Sequence, residues 1–160
     1  MSTKNPVLRG VPFRMLRSKR LALFALLALA AGCKTEEEKC LDSGGKVLTT
    51  AEVKKIYTGN TMSGTIPDLN TKFHVYYHYD GTMVGRAFSG VGQQSDQGFY
   101  TVKADGRICS RWSKWQGSGC ALIYRHQGEY KIFNPTTGAL FARQQMRKGN
   151  SENLPLPPSP

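Results

Sequence analysis

The sequence has no apolar run long enough to cross a bilayer comfortably. Its greasiest stretch, Leu21 to Gly32, holds about a dozen residues, whereas a spanning helix needs about 20 at about 1.5 Å each. It has no Cys-x-x-Cys spacing, which makes a zinc site a poor reading of its cysteines. A Gly-x-Ser-x-Gly elbow, a phosphate-binding glycine loop and a His-Glu-x-x-His pair are all missing, and with them the common signatures of serine hydrolases, nucleotide binders and zinc peptidases. The nearest glycine cluster, Ser89-Gly90-Val91-Gly92, precedes Gln93, Gln94 and Ser95 rather than a helix and reads as a flexible loop. Acidic residues are few, 11 in 160. Asp68, Asp80, Asp96, Asp105 and Glu129 fall mostly in predicted turns, where Asp bonds nearby backbone, and nothing points to a carboxylate pair for glycoside hydrolysis. No repeat of roughly 20 to 50 residues is evident.

What is present at the front is an ordered series of compositions. Met1 to Arg20 carries Lys4, Arg9, Arg14, Arg17, Lys19 and Arg20 without an acidic residue, and the uncharged run Leu21 to Gly32 follows. Basic, then apolar, then small residues is the layout of a secretory signal peptide. A buried core helix fits less well, because the run has no polar face to turn to solvent. A start at Met15 would give a shorter and more typical leader.

The segment Leu29-Ala30-Ala31-Gly32-Cys33 resembles the lipobox of bacterial lipoproteins, although Ala30 stands where leucine is commonest. The resemblance implies removal of residues 1–32 and lipidation of Cys33, with fatty acyl groups such as palmitate holding the protein on a membrane. Two acyl chains anchor far more firmly than one, at about 0.8 kcal/mol per buried CH₂. The expected location is the cell envelope, at the outer membrane facing the periplasm rather than the inner membrane. The alternative is a secreted protein cut near Ala31, with Cys33 a spare thiol.

Removing the leader changes the meaning of the charge. The full chain carries 22 Lys and Arg and a formal +11; without the six leader cations 16 basic residues face 11 acidic ones, about +5. The stretch from Lys46 to Asn150 is still cationic, which suits an anionic phospholipid or lipopolysaccharide surface. A merely soluble basic surface is the plainer alternative. Nucleic acid is disfavoured by export, and no cofactor is expected. An oxidising compartment favours disulfides. With Cys33 lipidated, Cys40, Cys109 and Cys120 remain; Cys109 and Cys120 flank a predicted hairpin and are the expected bridge, leaving Cys40 free or paired between molecules.

Lys34 to Lys46 is charged and aperiodic and reads as a flexible tether. A short helix is predicted from about Thr50 to Tyr57, with Thr49 and Glu52 at capping-box spacing, Leu48 and Val53 as a hydrophobic staple, and Gly59 beyond its end. From Asn60 onward, short runs rich in aromatic and β-branched residues alternate with turns. Phe73, Val75, Tyr77 and Tyr79 share one face of a strand whose other face carries His74, Tyr76 and His78. Asp80-Gly81, Asp105-Gly106 and Gln127-Gly128 supply hairpin turns, and Asn134 to Gly138 a longer one before a last strand near Ala139 to Met146. The expected fold is mainly β: seven or eight antiparallel strands in a meander over residues 47–150, forming a small barrel or strongly curled sheet, with one short N-terminal helix. Residues 151–160, with four prolines, read as a disordered tail.

Few side chains suggest chemistry. His74 and His78 would lie about 13 Å apart on a strand, too far to share one metal ion, so no metal site is expected. The most suggestive patch is Arg111-Trp112-Ser113-Lys114-Trp115-Gln116. Cations beside aromatic rings suit an anionic headgroup, a glycan or an envelope protein, so Arg111, Trp112, Lys114 and Trp115 are the candidate binding residues. The competing reading has Trp112 facing the core, with Arg111 and Lys114 in solvent, as strand alternation dictates.

Leu48-Thr49-Thr50-Ala51-Glu52, Gly59-Asn60-Thr61, Asp80-Gly81-Thr82, Asp96-Gln97-Gly98-Phe99, Ile108-Cys109 with Trp112, and Cys120 followed by Gly128-Glu129-Tyr130 together resemble an exported proteobacterial domain family of unknown function. Phe99 departs from that pattern, where tryptophan is expected. The resemblance covers roughly Leu48 to Asn150 and implies an exported β-domain with a cystine, but no activity. The leading expectation is a non-enzymatic envelope lipoprotein whose β-domain binds a ligand or protein partner, with a largely filled interior and an exposed patch around Trp112 and Trp115. A second is an inhibitor similar in plan to the lipid-linked β-barrel inhibitors of lysozyme, though a basic domain would be repelled by such basic targets. An envelope enzyme ranks third.

Overall fold

The computed structural model describes residues 34–156. The expected leader, Cys33 as the expected lipidation site, and the last four residues of the expected tail lie outside the described residues. Ten antiparallel strands form one sheet: β1 (Lys46–Val47), β2 (Asn60–Ile66), β3 (Thr71–Tyr77), β4 (Thr82–Ser89), β5 (Gly92–Val102), β6 (Ile108–Trp112), β7 (Gly119–Ala121), β8 (Tyr124–His126), β9 (Glu129–Phe133) and β10 (Leu140–Lys148). Two short helices, α1 (Glu36–Asp42) and α2 (Thr50–Tyr57), and a 3-10 turn at Pro67–Leu69 accompany it.

Strands β2 to β7 pair in chain order, as do β8 to β10, and β10 returns to pair with β2 from Arg143↔Thr65 to Lys148↔Asn60. The run from Gly119 to His126 passes from β7, at one end of the strand order, to β8, which only the two-residue β1 separates from the other end. Its first part pairs with β6 and its last part with β9, and only Leu122 and Ile123 lie between. Bringing the ends of the sheet within that short link curls it strongly into a half-barrel. The mainly β, meandering, strongly curled architecture is the expected one, with ten strands in place of seven or eight.

The hairpins form where the turn residues stand, but by two geometries. Gln127 and Gly128 both have positive φ, at 50° and 80°, and make the two-residue turn between His126 and Glu129. At Asp80-Gly81 only the glycine has positive φ. Gly81 N donates to His78 O and His78 N to Thr82 O, so the loop has three residues closed by a glycine bulge, and the strand stops at Tyr77 with Tyr79 exposed. Asp80 settles this choice by accepting from the Thr82 amide and hydroxyl. The Ser89 to Gly92 cluster is not a flexible loop but the end of a hairpin, since Ser89 and Gly92 are paired.

The helix over Thr50–Tyr57 forms as predicted, with the Thr49–Glu52 capping box in place. Val53, Ile56 and Tyr57 enter a core with Leu48, Met62, Val75, Tyr77, Met83, Tyr100, Ile108 and Ile123. The expected tether is a correction. Thr35 accepts from Glu38 N and Glu38 reaches back to Thr35 N, a second capping box, with three glutamates in the first turn favoured by the helix dipole. The resulting α1 buries Cys40 against Tyr124, Phe133 and Leu140. A seven-residue helix that buries one side chain leaves no apolar period to read in sequence. The tail is corrected in part. Leu154, 3% exposed, packs on Tyr76 and Val84 on the outer face, held by the Asn150 side chain, which bonds both its N–H and its C=O.

Candidate functional site

α2 sits at the end of the sheet that carries the β3–β4 and β5–β6 turns; its Thr50 hydroxyl donates to Ala104 O. At the opposite end, the β2–β3, β4–β5 and β9–β10 connections and the loop after β6 surround an open cleft of about 430 Å³. Its walls are mostly apolar, with Ile66, Phe73, Trp112, Trp115, Ile132 and Phe141, and carry a few polar groups from Gln94, Ser110, Lys114, Gln116 and Gln144. This mixture suits a ligand with a substantial apolar part. Phe141 reaches the cleft through a register shift. Leu140 pairs with Phe133 but Ala142 pairs with Ile132, so Phe141 is an extra residue, and the bulge re-aims it.

The two indoles are a constructed pair. Their rings lie 4.7 Å apart at 48° over Gly85 of β4, where a Cβ would stand 2.6 Å from Trp115 Cζ3 and 2.9 Å from Trp112 Cη2. Glycine is thus required there by contact, not by φ. Opposite Gly85 in β5 stands Asp96, which is buried. Its carboxylate accepts from the backbone N–H groups of Lys114 and Trp115, each at 2.8 Å, and from that of Gln97. Burial pushes the Asp96 carboxyl up, but the amides of Trp115, Lys114 and Gln97 outweigh it and hold the group below the ordinary carboxylate range. The Ser118 hydroxyl accepts from Trp112 N, and the Cys109–Cys120 disulfide joins β6 to β7 just below the loop.

The structure therefore divides the candidate patch. Trp112, Lys114 and Trp115 share the cleft. Arg111 lies on the other face, exposed and cross-strand from the exposed Phe99, as alternation along β6 requires. The expected exposed tryptophan patch is instead half-buried in a wall. Asp96, read as a turn residue, is the missed member of the site. Its partners are 18 and 19 positions away, so no local pattern marks it.

The histidines are scattered. His74 bonds Ser63 Oγ at 2.8 Å on the outer face. His78 lies beyond the end of β3 with its Nδ1 2.9 Å from Asp80 Oδ1; the Thr82 hydroxyl and amide and the nearby His78 together pull the Asp80 carboxyl down to about 2. Buried His126 stands between Ser43 Oγ and Lys131 Nζ, at 2.9 Å each. An ammonium only donates, so Nδ1 accepts from Lys131 and Nε2–H donates to Ser43. That polarity is opposite to what activation of a serine needs. Among the described residues no three His, Cys, Asp or Glu side chains are grouped as metal ligands. Cys40 is a free, buried thiol. A second cleft beside α2 carries Lys55, Arg125 and Lys148 on an open surface. No protein-family model matches the chain and no curated protein matches it.

Proposed function

We propose that this chain is a cell-envelope lipoprotein, anchored through lipidated Cys33, whose non-catalytic β-domain binds a ligand in the cleft walled by Trp112 and Trp115. One observation carries the binding reading: two indoles, too large to be spared for a solvent-facing loop, are stacked over a required glycine and locked by a buried carboxylate at the mouth of an apolar cleft. Side chains held by packing and backbone hydrogen bonds present apolar area at small entropic cost. The leader and Leu29 to Cys33 support the anchor.

Two measurements test this together. Intact mass of the protein extracted from envelopes should begin at a diacylglyceryl Cys33 and lack two hydrogens for the bridge. Native mass spectrometry in mild detergent should show an added species that is lost in W115A. A cytosolic chain that keeps residues 1–32, with an unmodified Cys33 and an empty cleft, would overturn the proposal.

A further inference from the structure

The folded chain emerges at the end of the sheet where the cleft opens. α1 runs along the outside of β8 and β9. Its first turn is fastened at the β9–β10 connection, where Glu37 N donates to Gly138 O at 3.0 Å and Glu36 Oε2 accepts from Leu140 N at 2.6 Å. The residue after its last turn, Ser43, lies at the far end against His126. Thr35, which follows Lys34, packs against Gly138 in the β9–β10 connection, three residues before Phe141 in the cleft wall. Cys33 immediately precedes Lys34 in the chain. With α1 in place of a tether, an anchor on Cys33 holds this end close to its membrane.

Three of the exposed apolar side chains lie at the same end. Leu69 in the β2–β3 turn is 65% exposed, Val91 at the tip of the β4–β5 hairpin 83% and Phe141 42%. Charge there is mixed, with Lys72 and Lys114 set against Asp68 and Glu36 to Glu38, while the Lys34 ammonium is drawn along α1 to Asp42 at 2.6 Å. Apolar contact rather than net charge therefore selects the occupant, and tryptophan is a residue suited to the boundary between lipid and water.

We propose that the open end of the domain lies against the bilayer that holds Cys33, and that the cleft takes up an acyl chain of a phospholipid from it. The inference rests on the lipoprotein reading above. The indoles and Phe73 flank the chain, Leu69, Val91 and Phe141 rest in the interface, and Lys114 stands level with the headgroup phosphate.

Trp112 and Trp115 are the two tryptophans of the chain, so emission reports on the cleft alone. The acylated protein, its mass verified first, is reconstituted into phosphatidylethanolamine/phosphatidylglycerol vesicles with and without acyl-brominated lipid. Brominated lipid should remove more than half of the emission, and the doubly substituted L69E/F141E protein, its fold checked by circular dichroism, should regain most of it. Acylated, vesicle-bound protein whose emission is the same in both lipids overturns the inference while leaving the anchor intact. Quenching that persists in L69E/F141E overturns docking through this end. An unmodified Cys33 overturns the anchor and the docking together.

Discussion

Gly85 and Asp96 stand opposite one another in β4 and β5, and between them they fix where Trp115 lies. The glycine leaves the floor on which the ring rests, and the carboxylate takes the Trp115 amide at 2.8 Å. One residue acts by having no side chain and the other by having one that is buried and charged.

Filling the floor should displace the indoles. In G85A the new methyl would meet Trp115 Cζ3 at 2.6 Å, and relief of that overlap is expected to cost about 1–3 kcal/mol. Tryptophan emission should shift to the red, acrylamide quenching should rise, and Tm should fall. An unchanged spectrum would show that the pair does not rest on β4.

Asp96 gives the loop a pH dependence with a definite sign. Its folded pKa lies below the ordinary value, so it stabilises the fold above the unfolded carboxylate value of about 3.9, and that contribution is lost as pH falls through the folded value. D96N should be less stable at pH 7 by about 1–3 kcal/mol, because three amides lose a charged acceptor. The gap to the native protein should narrow as pH falls below about 4, followed as Tm in each buffer. A gap that is constant with pH would remove the charge from the explanation.

The disulfide closes a sequence separation of 11 residues that includes the whole tryptophan loop. Constraint of the unfolded chain over such a loop contributes about 2–3 kcal/mol. Paired C109S/C120S substitution should lower the denaturant midpoint accordingly and speed amide exchange in β7 and residues 113–118 before other strands.

Docking of α1 should be visible at Cys40. T35A removes the capping box, at a cost of about 1 kcal/mol to the helix, and should raise the rate at which a thiol reagent labels Cys40, which is 4% exposed. A helix that merely decorated the surface would leave that rate unchanged.

Much of this was legible in local chemistry. Thr49 and Glu52 mark α2, Gln127-Gly128 marks a hairpin, and the alternation of Phe73, Val75 and Tyr77 against His74 and Tyr76 states which face is inward, because each depends on residues within a few positions. The same parity correctly separates Trp112 from Arg111. The tether assignment failed because α1 draws its stability from Gly138, Leu140 and Tyr124, about a hundred residues away in two cases. Leu154 was hidden by its prolines, although its apolar side chain finds a site made by β3 and β4.

What the amino-acid order decided alone is therefore the turns at Asp80-Gly81, Asp105-Gly106 and Gln127-Gly128, the inward face of β3 and the start of α2, since short-range sterics and hydrogen bonds fix them before the chain closes. Tertiary structure decided the pairing of β10 with β2, the docking of α1 and the burial of Asp96 beneath the tryptophan loop. Those require segments far apart in sequence to meet, and a carboxylate or a lone cysteine carries no mark of a partner that only the closed sheet brings within reach.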